Sequence, residues 1–209
     1  MSFVNIPKIE AASLVAVPAP LSSTSSWDEA TFISTQLCDE ILENKPFFSH
    51  TWENTYGKTA VIFIPAVDVL LFRDKNKTLK ATMQGIEMAI SLGAKSISFT
   101  GMIPAATGFI TSLAKNFDND LILTTGHAAV VAAFALNTDL VLEKLNRKYE
   151  GENVAFIGLG SIGEGILKLL SSKKEPKKIF LVDVEKKIDH LKTPYYFTYF
   201  FIDSIIYIM

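Results

Sequence analysis

The stretch Asn153–Asp183, NVAFIGLGSIGEGILKLLSSKKEPKKIFLVD, decides how this sequence folds. The apolar run Val154 to Ile157 reads as a buried strand, and GLGSIG comes directly after it, with Gly158, Gly160 and Gly163 at GxGxxG spacing. About Ser161 to Ser172 then carries apolar residues at helical spacing. A second strand, Ile179 to Val182, ends in Asp183. Each glycine has a separate task in such a unit: a tight turn, close backbone approach to a pyrophosphate, and close packing of helix on strand. The first amides of the helix have no intrahelical acceptor and are aimed at an anion. Strand, turn, helix and strand together are much stronger than the glycines alone, and they predict a Rossmann-type dinucleotide site formed by Gly158, Leu159, Gly160, Ser161, Ile162, Gly163 and Asp183. Asp183 stands twenty residues beyond Gly163, where a carboxylate accepts hydrogen bonds from ribose hydroxyls. A 2′-phosphate would meet a like charge there, so NAD is favoured over NADP, although Lys186 and Lys187 lie close enough in sequence to pair with that phosphate.

Upstream, strand and helix patterns alternate at short spacing. Leu14 to Val17 is a strand stopped by Pro18 and Pro20, and Leu21 to Ser26 is a loop. Ser26 or Asp28 caps a helix bearing Phe32, Ile33, Leu37, Ile41 and Leu42 on one face. Thr59 to Pro65 is a second strand, Asp74 to Lys77 a polar turn, Leu79 to Leu92 a helix closed by Gly93, and Lys95 to Phe99 a third strand. Gly101 opens a loop into a helix over about Ala105 to Lys115, and Leu121 to Leu123 is a brief strand. Ala128 to Lys148 has the length and alanine content of one long helix. The expected fold class is α/β: an N-terminal parallel-sheet domain over 1–150, including a linking helix, joined to an incomplete Rossmann domain over 151–209.

Composition narrows the function classes. The chain has 209 residues, 49% of them apolar, which is ample for a packed core. Twenty basic residues against twenty-two acidic ones give a formal charge of −2, which draws no polyanion, so nucleic acid is not an expected partner. Cys38 is the single cysteine and no secretory leader pattern is present, which fits a cytosolic compartment. No basic residue or histidine adjoins Cys38 in sequence, and it reads as a small core or boundary residue. His50, His127 and His190 are far apart and predict no metal site, and Lys173 to Lys178 reads as a solvated loop. Tyr195 to Met209 is apolar and aromatic, but it contains Asp203 and falls short of the roughly 20 residues a membrane span requires. It resembles neither a third Rossmann strand with its helix nor a polar terminus, and it predicts a truncated or altered end of a longer chain.

Three motifs in order, GMIPAATGFI at Gly101–Ile110, LTTGHAAVVAAF at Leu123–Phe134 and GLGSIG, resemble those of the long-chain acyl-(acyl carrier protein) reductases, which make fatty aldehydes. The likeness spans about residues 58 to 185, and a wider group of two-domain dehydrogenases similar to shikimate dehydrogenase shares the layout. The resemblance implies hydride delivery from a nicotinamide cofactor to an acyl thioester. In that family the thioester is attacked by a cysteine after the glycine fingerprint. This sequence has no cysteine after Gly163, and Cys38 lies outside the matching region, so the nucleophile is not carried onto it.

Substrate-side candidates are placed in an expected interdomain cleft. Thr124, Thr125 and Gly126 stand where a strand turns into a helix and can hold an anion or a carbonyl oxygen; helix capping by either threonine is the alternative. His127 is a candidate acid or base, with a cap or surface role as the alternative. Gly101 and Thr107 border the same expected cleft, with Thr100 at the strand end. These residues are compatible with two function classes. One is an oxidoreductase acting on an acyl thioester or carbonyl, or on a small hydroxy or amino acid, with a small-molecule or acyl-carrier substrate and a homo-oligomeric state compatible with it. The other is a noncatalytic nucleotide-binding module.

Overall fold

The computed structural model describes residues 8–17, 32, 34–41, 43–67, 70–117, 120–173, 175–183 and 198–201. The expected caps at Ser26 and Asp28, the loop from Leu21 to Ser26, Lys186, Lys187 and His190 lie outside these residues. The chain is a mixed α/β protein that divides into two compact units, 1–126 and 127–209. The division falls between Gly126 and His127, not near residue 150. The long helix expected to link two domains shares its core with the strands and helix on its C-terminal side.

In the first unit, β1 (Ala11–Val17), β2 (Phe47–Asn54), β3 (Gly57–Val67), β4 (Ser96–Phe99) and β5 (Ile122–Thr124) form one sheet in the order β2-β3-β1-β4-β5. β1 pairs in parallel with β3 and β4, and β4 with β5. β2 was not legible as a strand. It is mostly exposed, and it is held as an antiparallel edge by a hairpin with β3, whose turn uses Asn54 Oδ1 as acceptor for the Tyr56 amide and Gly57 at φ +133°. Phe47 stacks on its cross-strand partner Phe63 at a centroid distance of 5.2 Å.

Helix α1 (Lys75–Ser91) starts one turn earlier than the apolar pattern predicts, because Asp74 caps it by accepting from the Lys77 amide at 2.9 Å. The polar residues read as a turn are the helix's exposed first turn. Ala81, Ile86 and Ala89 of α1 share a buried core with Leu14, Ile62 and Ile64. At Gly85 an added Cβ would lie 2.5 Å from Leu14 Cδ2 and 2.7 Å from Ile64 Cγ2, both side chains being fully buried. Gly85→Ala gains about 1 kcal/mol of helix propensity but forces overpacking that costs about 1–3 kcal/mol. A net loss of about 1 kcal/mol is expected, read as a lowered urea midpoint at unchanged m-value.

The helix expected over Ala105 to Lys115 is two short ones, α2 (Ile103–Ala106) and α3 (Thr111–Ala114). Gly108, Phe109 and Ile110 all take positive φ between them, which breaks the helical path. Cys38 lies in a short π-helical turn, Leu37–Ile41, and packs with Val17 and Val67.

The second unit contains α4 (His127–Lys144), β6 (Asn153–Ile157), α5 (Ser161–Lys173), β7 (Lys178–Asp183) and β8 (Thr198–Phe201), with a parallel sheet in the order β6-β7-β8. β8 corrects the reading of the C-terminal stretch: Thr198 to Phe201 does form a third parallel strand, in register with Phe180 to Asp183. An aromatic run without helical residues nearby gave no period to read it by. Among the described residues no helix is long and apolar enough to cross a membrane.

Ala135 of α4 belongs to the core of Phe156, Ile166, Leu167, Leu170, Ile179 and Leu181. Tyr149 joins that core with its hydroxyl buried and without a hydrogen-bond partner among the described residues. Burial also raises its pKa above the ordinary tyrosine value. Tyr149→Phe is expected to stabilise the protein by about 1 kcal/mol, since it removes an unsatisfied polar atom and leaves the ring. Above about pH 10 the unfolded chain loses the Tyr149 proton before the folded one does, so wild-type stability falls as pH rises there. The phenylalanine variant should lack that part of the alkaline loss in denaturant titrations.

Candidate functional site

The glycine-rich turn joins β6 to α5, and its three glycines differ as the spacing predicts. Gly158 has φ +86°, a left-handed conformation that a side chain would strain, and its amide donates to Val182 O at 2.8 Å. A Cβ on Gly160 would meet nothing within 4 Å, so its backbone is open to a ligand. A Cβ on Gly163 would lie 2.4 Å from Gly158 O, so a side chain there cannot coexist with the turn.

Glu164 N–H makes the first bond of α5, to Gly160 O at 2.9 Å. The amides of Ser161, Ile162 and Gly163 precede it and have no acceptor within the helix. Gly160 and Ser161 are exposed, whereas Leu159 turns its side chain into the core. The surface at this point is therefore a set of backbone donors at the positive end of a helix dipole, which suits a diphosphate.

Asp183 ends β7 and is fully buried. Its Oδ2 accepts from the Leu159 amide at 2.5 Å. This carboxylate thus fastens the turn to the neighbouring strand, a role the twenty-residue spacing did not reveal. Lys186 and Lys187 fall outside the described residues.

His127 begins α4, and its Nε2 lies 3.4 Å from Ser161 Oγ. One turn further along both helices, a Cβ on Gly165 would lie 2.9 Å from Val131 Cγ2. The two helices consequently run side by side in the same direction, with both N-termini at the glycine-rich turn. Sequence reasoning placed His127 with the substrate-side threonines; the structure puts its ring beside Ser161 at the glycine-rich turn. Gly165, which permits this close approach, was not singled out, because it lies past the motif and has an ordinary helical context.

The remaining candidates belong to the first unit. Gly101 (φ +57°) and Thr124 follow or end β4 and β5, which are adjacent parallel strands, so both sit at the carboxyl end of the sheet. Thr124 Oγ1 accepts from the Gly126 amide at 3.2 Å and Gly126 has φ +71°, so this bond closes a local turn before α4 and reaches no amide of the helix. Thr125 is half-buried between them. Thr100 donates to Leu14 O at 3.0 Å and joins β4 to β1. Thr107 is buried, with its hydroxyl donating to Ile103 O at 2.7 Å. That geometry is a helix-internal bond, and it withdraws the Thr107 hydroxyl from substrate contact.

In comparison with known proteins, the chain matches no family model and no curated protein.

Proposed function

We propose that this protein binds a nicotinamide dinucleotide on the turn from Gly158 to Gly163 and is an NAD(P)-dependent oxidoreductase acting on an acyl thioester or carbonyl compound. The observation that carries the reading is the pairing of an obligate glycine with an open one. Gly163 has no room for a side chain, Gly160 has nothing in front of it, and an exposed helix start lies between them.

On this assignment the amides of Ser161, Ile162 and Gly163 receive the diphosphate, and the Ser161 hydroxyl adds a neutral donor at its edge. His127, on the start of the parallel helix, brings a second helix N-terminus to the same charge. Asp183 both holds Leu159 in place and puts a carboxylate where the adenosine ribose is bound in such folds, which favours NAD. When bound, the reduced nicotinamide supplies a hydride to the acyl or carbonyl carbon; the protein's share is to hold and orient.

The test is a fluorescence titration of the full chain with NADH and NADPH, with ADP-ribose as competitor, and then assays offering fatty acyl thioesters and small keto acids. Saturable NADH binding displaced by ADP-ribose, with consumption of NADH in one substrate arm, is the expected result. Binding without consumption would replace the enzyme by a nucleotide-binding module, and failure to bind either dinucleotide would end both readings.

A further inference from the structure

The first unit contains a cavity of about 220 Å3 in which the dinucleotide-binding residues take no part. It lies at the carboxyl ends of β1 and β3, which are neighbours and parallel. The described residues that come after the two strands pack on opposite faces of the sheet. The π-helical turn after β1 packs Cys38 on Val17 and Val67, whereas α1, after β3, packs on Leu14 and Ile64. A crevice opens where adjacent connections diverge in this way, and open α/β sheets bind ligands there.

The walls of this crevice have a definite chemistry. Pro65, Ala66, Val67 and Leu70 line it, with Cys38 buried beside them. Burial pushes the Cys38 thiol up, more than the Lys77 charge lowers it, so the thiol stays neutral and belongs to the apolar wall. The charged lining residues are Arg73, Asp74 and Lys77. Asp74 Oδ1 caps α1, and Lys77 Nζ pairs with Asp39 at 3.3 Å. Arg73 is exposed and makes no ion pair among the described residues. One unengaged guanidinium beside an apolar recess matches a single planar anion, and a dianion would leave charge uncompensated against apolar walls. A crevice of about 220 Å3 falls below the usual range of drug-sized sites, which restricts the ligand to a small molecule.

We propose that this crevice binds a small monocarboxylate with a short apolar body, the carboxylate on Arg73 and the chain against Pro65, Val67 and Leu70. The site lies wholly within the first unit and does not depend on the dinucleotide reading.

Calorimetric titration of the full chain, without dinucleotide, with acetate, butyrate, hexanoate and butyramide tests it. Affinity is expected to rise about fourfold per added methylene until the crevice is full. Butyramide should bind about tenfold or more weakly than butyrate, and Arg73→Gln should lower butyrate affinity by a similar factor while leaving the melting temperature unchanged. A second readout needs no variant. Cys38 is the only cysteine, so the rate of its alkylation by a small neutral reagent, monitored by mass, should fall when butyrate is bound. Absence of saturable binding, equal affinity for acid and amide, or alkylation indifferent to butyrate would each overturn the proposal.

Discussion

Gly163→Ala is expected to lose dinucleotide binding and about 2 kcal/mol of stability together. Alanine gains about 1 kcal/mol of helix propensity at this position, but its Cβ would sit 2.4 Å from Gly158 O. That contact is with backbone, which cannot swing aside as a side chain does, so the clash should reach the upper end of the overpacking range, about 3 kcal/mol. Relief requires α5 to move away from the β6 turn. The movement displaces the amides of Ser161 and Ile162, and a loss of about 1.4 kcal/mol of binding is already tenfold in Kd. Urea midpoints and the NADH titration measure the two effects separately. An alanine variant as stable as wild type, binding NADH equally well, would contradict the geometry of this turn.

The second large effect belongs to Asp183. Asp183→Ala leaves the Leu159 amide without its acceptor inside a buried turn, which costs about 1–3 kcal/mol. Asp183→Asn keeps an oxygen that can accept from the same amide, so most of the stability should remain. The asparagine has no charge to repel a 2′-phosphate, and the preference for NADH over NADPH should narrow by on the order of tenfold. The two variants thus separate fastening the turn from choosing the cofactor. If Asp183→Asn narrowed nothing while Asp183→Ala destabilised as expected, the carboxylate would be a structural residue and the preference for NAD would lose its basis. If neither variant changed stability, the bond to Leu159 would be of no consequence.

The sequence marked Gly163 for the close packing that the fold shows, and Asp183 for a different reason from the one the fold assigns. The spacing of Gly158, Gly160 and Gly163 is local, because a strand-to-helix turn constrains backbone over six residues, and those constraints appear directly as missing side chains. Asp183 was marked by distance along the chain, which gives its place at the end of β7 but not its bond to Leu159. Helix α1 and most parallel strands were likewise written in their apolar pattern, and α4 in its length and alanine content. β2 and β8 were not, since an edge strand with mixed exposure and a short aromatic run have no period that distinguishes them from loop.

What the sequence by itself determined is the α/β class, the glycine-rich turn and the helix after it, all consequences of interactions between residues close in the chain. Only the tertiary structure decided that α4 belongs with the second unit, that His127 meets Ser161, and that Gly165 lets the two helices approach. It also opened the Arg73 crevice, where the turn bearing Cys38 and helix α1 pack on opposite faces of one sheet. The reason is that such contacts depend on which surfaces meet after the strands have paired. Pairing is chosen by complementary packing across dozens of residues, and a linear pattern of apolar and polar positions does not carry that choice.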